Sequence, residues 1–150
     1  MSDFAPPEDL LFNRGPIRDP EGYARDVGCA SWLYLNGPEF AAMDGGISYE
    51  QVQGAVPRSV NVISDPPRVL DLDLARQHVD ALDELPRPTL VSCRAGPRAS
   101  AVVYMYAGLK TGASPDDVVA AAERDGAPCA AVDEYKAWIA EAITALRAET

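Results

Sequence analysis

An α/β fold built on a mainly parallel central sheet flanked by helices is the architecture that the chain predicts. Short apolar runs of strand length alternate with stretches of helical periodicity. Glycines and prolines punctuate the boundaries, and no internal repeat or low-complexity tract interrupts the order. At 150 residues the chain has the length of a single domain, enough to bury about 70% of its unfolded surface. Its 47% hydrophobic and 24% charged residues are those of an ordinary globular protein, which excludes a disordered or collagen-like chain.

In order along the chain, residues 1–9 read as a polar, mobile start and 10–150 as the folded domain. Leu10 to Asn13 is a short strand. Pro20 opens a helix that reaches Asp26 and is closed by Gly28, and Ser31 to Leu35 is a compact apolar strand. Gly37-Pro38 and Gly45-Gly46 mark residues 36–47 as loop. Ser48 with Gln51 makes a capping-box pattern for a helix that Gly54 ends. Val60 to Ile63 is the next strand, and Pro66-Pro67 forces a turn. Leu72, Ala75, Val79 and Leu82 fall at helical spacing and predict a helix over 71–85, with His78 solvated among its aspartates. Thr89 to Ser92 is a buried strand that runs into Cys93. Residues 98–110 form an apolar, buried helix. Ser114-Pro115-Asp116-Asp117 starts another, which Gly126 ends. Tyr135, Ile139, Ala142, Ile143 and Leu146 mark an amphipathic terminal helix. Trp32, Tyr34, Tyr104, Tyr106 and Trp138 read as core aromatics.

Thirteen Lys and Arg against 23 Asp and Glu leave a formal charge of −10, a surface that repels nucleic acid and anionic membranes. The longest apolar run, Ala101 to Leu109, has nine residues, far short of the roughly 20 that a membrane helix needs. Residues 1–10 show no signal-peptide pattern. Cys29, Cys93 and Cys129 are an odd set at irregular spacing, which points to a reducing, cytoplasmic compartment rather than a disulfide framework. Cys29 and Cys129 read as small core or near-surface residues. A single histidine and no C-x-x-C leave too few ligands for a structural zinc, and no metal or cofactor is expected. The oligomeric state is left open.

The chemistry is concentrated in Val91 to Ser100. There a buried strand ends at Cys93, a short glycine-containing loop follows, and a helix begins with Arg98. Such a loop turns backbone N–H groups inward as a nest for an anion at a helix N-terminus. The same dipoles favour a thiolate, so Cys93 can be a nucleophile without histidine. Arg98 can clamp two oxygens of a tetrahedral anion through its planar fork. Gly96 permits a positive φ or a close backbone approach.

The segment Cys93-Arg-Ala-Gly-Pro-Arg-Ala resembles the loops of the phosphate-loop cysteine enzymes, namely protein tyrosine and dual-specificity phosphatases and the rhodanese sulfurtransferases. It is most similar to the bacterial phosphatase-like domain found alone or fused to β-lactamase-like hydrolases, whose loop is of Cys-Arg-Ser-Gly-Thr-Arg-Ser type. Phe12-Asn-Arg-Gly, Asp26 to Asn36 and the Ser114-Pro-Asp-Asp helix extend the likeness over about residues 10–128. The resemblance implies that Cys93 attacks phosphorus and that Arg98 stabilises the transferring group. Arg94, Ala95, Gly96, Pro97, Ala99 and Ser100 would complete the anion-binding loop, with the Ser100 hydroxyl helping the thiolate to leave. It also implies a general acid in the loop before the preceding helix: Asp65, with Asp71 in reserve. The implied substrate is a phosphorylated protein or a small phosphate ester.

Three departures accompany it. Ser92 stands where tyrosine phosphatases carry histidine. Four residues rather than five separate Cys93 from Arg98, with Ala99 at the usual arginine position. Pro97 removes one N–H donor. The four-residue spacing is also that of rhodaneses, and Gly54 to Val62 is similar to their segment before a central strand. A sulfurtransferase carrying a persulfide on Cys93, between a sulfur donor and an acceptor, is therefore the alternative function. A non-catalytic anion-binding module is the third.

Overall fold

Four short strands, all parallel, run in the order β1-β4-β2-β3, where β1 is Leu10–Phe12, β2 Ser31–Tyr34, β3 Arg58–Asn61 and β4 Thr89–Ser92. The computed structural model describes residues 4–149. Side chains alternate across a strand, and β2 uses that period to serve two cores. Trp32 and Tyr34 pack on one face of the sheet, Leu33 and Leu35 on the other. In β4, Leu90 and Val91 divide in the same way, opposite Trp32 and Leu33.

The first face is covered by α1 (Pro20–Val27), the single-turn α2 (Pro38–Ala41) and α3 (Tyr49–Ala55), through Ala24, Phe40 and Val52. The second is covered by α4 (Leu72–Glu84), α5 (Pro97–Thr111), α6 (Pro115–Arg124) and α7 (Asp133–Ala148). Helix α5 is buried from Arg98 through Gly108, with α6, α7 and a 3₁₀ turn at Pro128–Ala131 packed around it. Caps set the boundaries. The Ser48 hydroxyl accepts from Gln51 N, with the reciprocal bond present; Asp19, Asp71 and Ser114 cap α1, α4 and α6. None of the described helices is long and apolar enough to cross a membrane.

The structure corrects several expectations. The stretch read as loop over 36–47 contains α2. β3 begins and ends two residues before the predicted Val60–Ile63. It is an edge strand with one partner, so exposed Arg58 and half-buried Ser59 can pair with Ser31 and Trp32 without being apolar. Helix α3 runs one residue past Gly54. Of the segment expected to be mobile, residues 1–3 lie outside the described part, and Phe4 is buried against Tyr104.

His78 is not solvated but completely buried, edge-on to the Trp138 ring. Its Nε2 lies 2.8 Å from Ser64 Oγ. That hydroxyl donates to Val62 O, so Nε2–H is the donor to it and Nδ1 is left without a partner. Burial pushes the imidazole down to about 3 from 6.5, against a weaker opposite pull from the Asp71 charge. Below pH 6.5 the unfolded chain gains a proton here that the folded chain refuses, down to about pH 3. Stability therefore falls with acidification across that window by about 1.4 kcal/mol per pH unit from this group. Replacing His78 by glutamine should remove that share of the slope, read from denaturant midpoints at a series of pH values. Parallel slopes in the two proteins would contradict it.

Candidate active site

Strand β4 delivers Cys93 to the C-terminal end of the sheet, and α5 starts four residues later. The turn between them depends on Gly96, which has φ +117°; a Cβ there would overlap the Asn13 carbonyl oxygen. Pro97 takes the first helical position, where no intrahelical N–H bond is lost. The result aims two amides at the sulfur: Gly96 N–H at 3.1 Å and Ala99 N–H at 3.4 Å from Cys93 Sγ. The positive end of the 15-residue α5 lies behind them.

Asn13 clamps the same loop from β1. Its side chain is fully buried, donates to Cys93 O at 2.9 Å and accepts from Cys93 N–H at 3.2 Å, so both backbone groups of the cysteine are satisfied by one residue. It also donates to Gly15 O, while Gly15 N–H donates to Ala95 O.

Cys93 opens onto a cavity of about 390 Å³. Of the residues expected at the site, Arg94, Ala95, Pro97, Arg98 and Asp65 line it with Cys93. Gly96 and Ala99 contribute their amides. The Ser100 hydroxyl is occupied elsewhere, donating to Pro97 O and accepting from Cys129 N–H at 3.0 Å. Asp71 caps α4 through Leu74 N–H at 2.9 Å and does not line the cavity, so the reserve acid is set aside. Ser92, at the usual histidine position, accepts from the Trp32 indole at 2.7 Å.

Arg98 is nearly buried. One of its amino groups, Nη1, donates to Ser64 O and Arg68 O, and the guanidinium lies 5.5 Å from the centre of the Tyr135 ring. Both oxygens of Asp65 are acceptors: Oδ1 takes Gly37 N–H at 2.9 Å and Arg68 Nη1 at 3.2 Å, Oδ2 takes Asn36 Nδ2 at 3.2 Å. Asn36, Glu39, Phe40, Met43, Pro66 and Tyr135 complete the lining. Burial raises the Tyr135 phenol above its ordinary value and the Arg98 charge opposes it, so its hydroxyl stays protonated at neutral pH.

Sequence reasoning missed Asn13, Asn36, Arg68, Tyr135 and the α2 side chains at this site. Gly37-Pro38-Glu39 carries a readable signal, with proline at the first turn and an acid at the dipole's positive end. Asn13 and Tyr135 reach the site only through tertiary packing.

Solved structures share this arrangement of elements. Tk-PTP in its active form superposes with a TM-score of 0.71 and 14% identity, over 90% of this chain and 91% of that one. The core catalytic domain of the PP-IP phosphatase SIW14 from S. cerevisiae gives 0.62 and 14%, over 92% and 86%. A DUF442 protein from Shewanella putrefaciens gives 0.63 and 21%, over 97% and 88%. The chain has the protein tyrosine phosphatase fold. No protein-family model matches the sequence, and no curated protein is significantly similar to it. Within this phosphatase fold the cysteine strand β4 lies between β1 and β2, with a bonded strand on each side.

Proposed function

We propose that the protein is a cysteine-dependent phosphatase that hydrolyses a phosphate monoester, from a phosphorylated protein or a small molecule. One observation carries the reading: Cys93 Sγ sits at the mouth of α5 with the Gly96 and Ala99 amides aimed at it and a cavity in front. An anion placed there meets oriented N–H dipoles and the helix N-terminus without any reorganisation.

In the first step the Cys93 sulfur attacks phosphorus, the ester P–O bond breaks, and a thiophosphate forms. The departing oxygen takes a proton from Asp65. Loop amides and the Arg98 guanidinium hold the equatorial oxygens, with Arg94 adding positive potential. In the second step Asp65 accepts a proton from water, which attacks phosphorus, breaks the P–S bond and releases phosphate.

Hydrolysis of p-nitrophenyl phosphate at about pH 5 to 7.5, inhibited by vanadate, is the expected result. Replacing Asp65 by asparagine should lower kcat by about 10²–10⁴-fold, and less for an ester with a more acidic leaving phenol. A purely structural role for Asp65 would slow all esters alike. Thiosulfate-to-cyanide sulfur transfer that survives this substitution, with no ester hydrolysis in either protein, would favour the persulfide reading.

A further inference from the structure

Two arginines line the cavity, and a third, Arg68, pairs with two carboxylates of its lining. Arg98 is held at the floor beside Cys93, and Arg94 stands exposed on the loop. Arg68 is occupied by two carboxylates. Its Nη1 and Nη2 meet Glu39 Oε1 and Oε2 at 3.1 Å each, and Nη1 also meets Asp65 Oδ1 at 3.2 Å. The pair is built across Gly37, where an added Cβ would come within 2.6 Å of Glu39 Oε1 and 2.9 Å of Arg68 Nη1. Beside Glu39, Phe40, Met43 and Pro66 make an apolar wall.

We infer that the pocket selects esters carrying one phosphate on an apolar, aryl-like body, and that Glu39 is the specificity-determining residue that rejects substrates with further phosphates. This rests on the phosphatase reading above. The loop amides serve one phosphate. A second phosphate, carrying about −1.5 to −2 charges at neutral pH, would need its own cation at the rim. Exposed Arg94 remains on the loop side, whereas on the α2 side Glu39 occupies Arg68 and adds a negative charge to the lining. Juxtaposed like charges suppress a wrong partner even when the ion pair itself contributes little to stability. The Arg68 hydrogen bonds and charge hold the Glu39 carboxyl below its usual range, so it is an anion throughout the neutral range. The chain's net charge of −10 acts in the same direction.

The test compares wild type and Glu39→Gln on p-nitrophenyl phosphate and on inositol hexakisphosphate, reading the ratio of the two kcat/KM values. In wild type the aryl ester is strongly preferred. In Glu39→Gln the ratio shifts toward the inositol ester by about tenfold or more, equivalent to about 1.4 kcal/mol. Added salt narrows the preference in wild type, because screening shortens the reach of the rim charge. Equal turnover of both esters by wild type, or an unchanged ratio in Glu39→Gln, overturns the role of Glu39 and leaves the phosphatase reading standing. A wild type as silent as Cys93→Ser on both esters overturns both.

Discussion

Replacing Cys93 by serine is expected to lower aryl phosphate turnover by about 10⁴-fold or more, with stability changed by less than about 1 kcal/mol. A serine oxygen can accept the same Gly96 and Ala99 N–H bonds, so the loop need not move. What it lacks is the nucleophilicity of sulfur, since a serine hydroxyl becomes a competent nucleophile only beside a base. The sole histidine cannot supply one, because His78 is buried against Ser64 and Trp138 and does not line the cavity. Initial rates for the two proteins, alongside their unfolding curves, make the check. Substantial turnover in a folded serine variant would place the nucleophile elsewhere.

The second large effect is expected at Gly96. Alanine there faces a φ of +117°, outside what a side chain tolerates at low cost, and its Cβ collides with a backbone oxygen of Asn13 rather than with a movable side chain. The strain alone is about 1–3 kcal/mol, and relief requires the turn to swing away from β1. The swing would carry the Gly96 amide off the sulfur and break the Gly15–Ala95 bond. Gly96→Ala should therefore lose both thermal stability and vanadate affinity. Asn13→Ala should resemble it by another route, leaving the Cys93 N–H and C=O buried without partners at about 1–3 kcal/mol each. The two substitutions loosen one contact, so their combined cost should fall short of the sum. Wild-type melting and vanadate inhibition in Gly96→Ala would contradict this account.

The parts of the fold that are legible in the sequence are those with local causes. Thr89–Ser92 is delimited at both ends because a proline pair of positions precedes it and the cysteine loop follows. The Ser48–Gln51 box is formed as its pattern implies. Helix α2 hid between Gly37-Pro38 and Gly45-Gly46 and buries one residue, Phe40, too little to make a periodic stripe. His78 misled through its neighbours: the aspartates around it face solvent, while Ala75, His78 and Leu82 share a buried face at a spacing that could have been noticed. At the site, Cys93, Arg98 and their loop are one contiguous string and could be read as a unit. The Asn13 clamp joins residues 80 positions apart through the β1–β4 pairing, and nothing in the Phe12-Asn-Arg-Gly stretch itself points the asparagine at Cys93.

The position of β4 between two hydrogen-bonded neighbours has a kinetic consequence. With bonded strands on both sides, its amides are expected to exchange slowly with solvent deuterium, and Cys93 follows directly from that strand. Helix α2, one turn long and anchored by Phe40, belongs to the opposite extreme. The half of the cavity that carries Cys93 is thus expected to be rigid, while the half formed by α2 can breathe. Changes in residues 37–43 can redirect what is admitted without loosening the sheet that holds the sulfur.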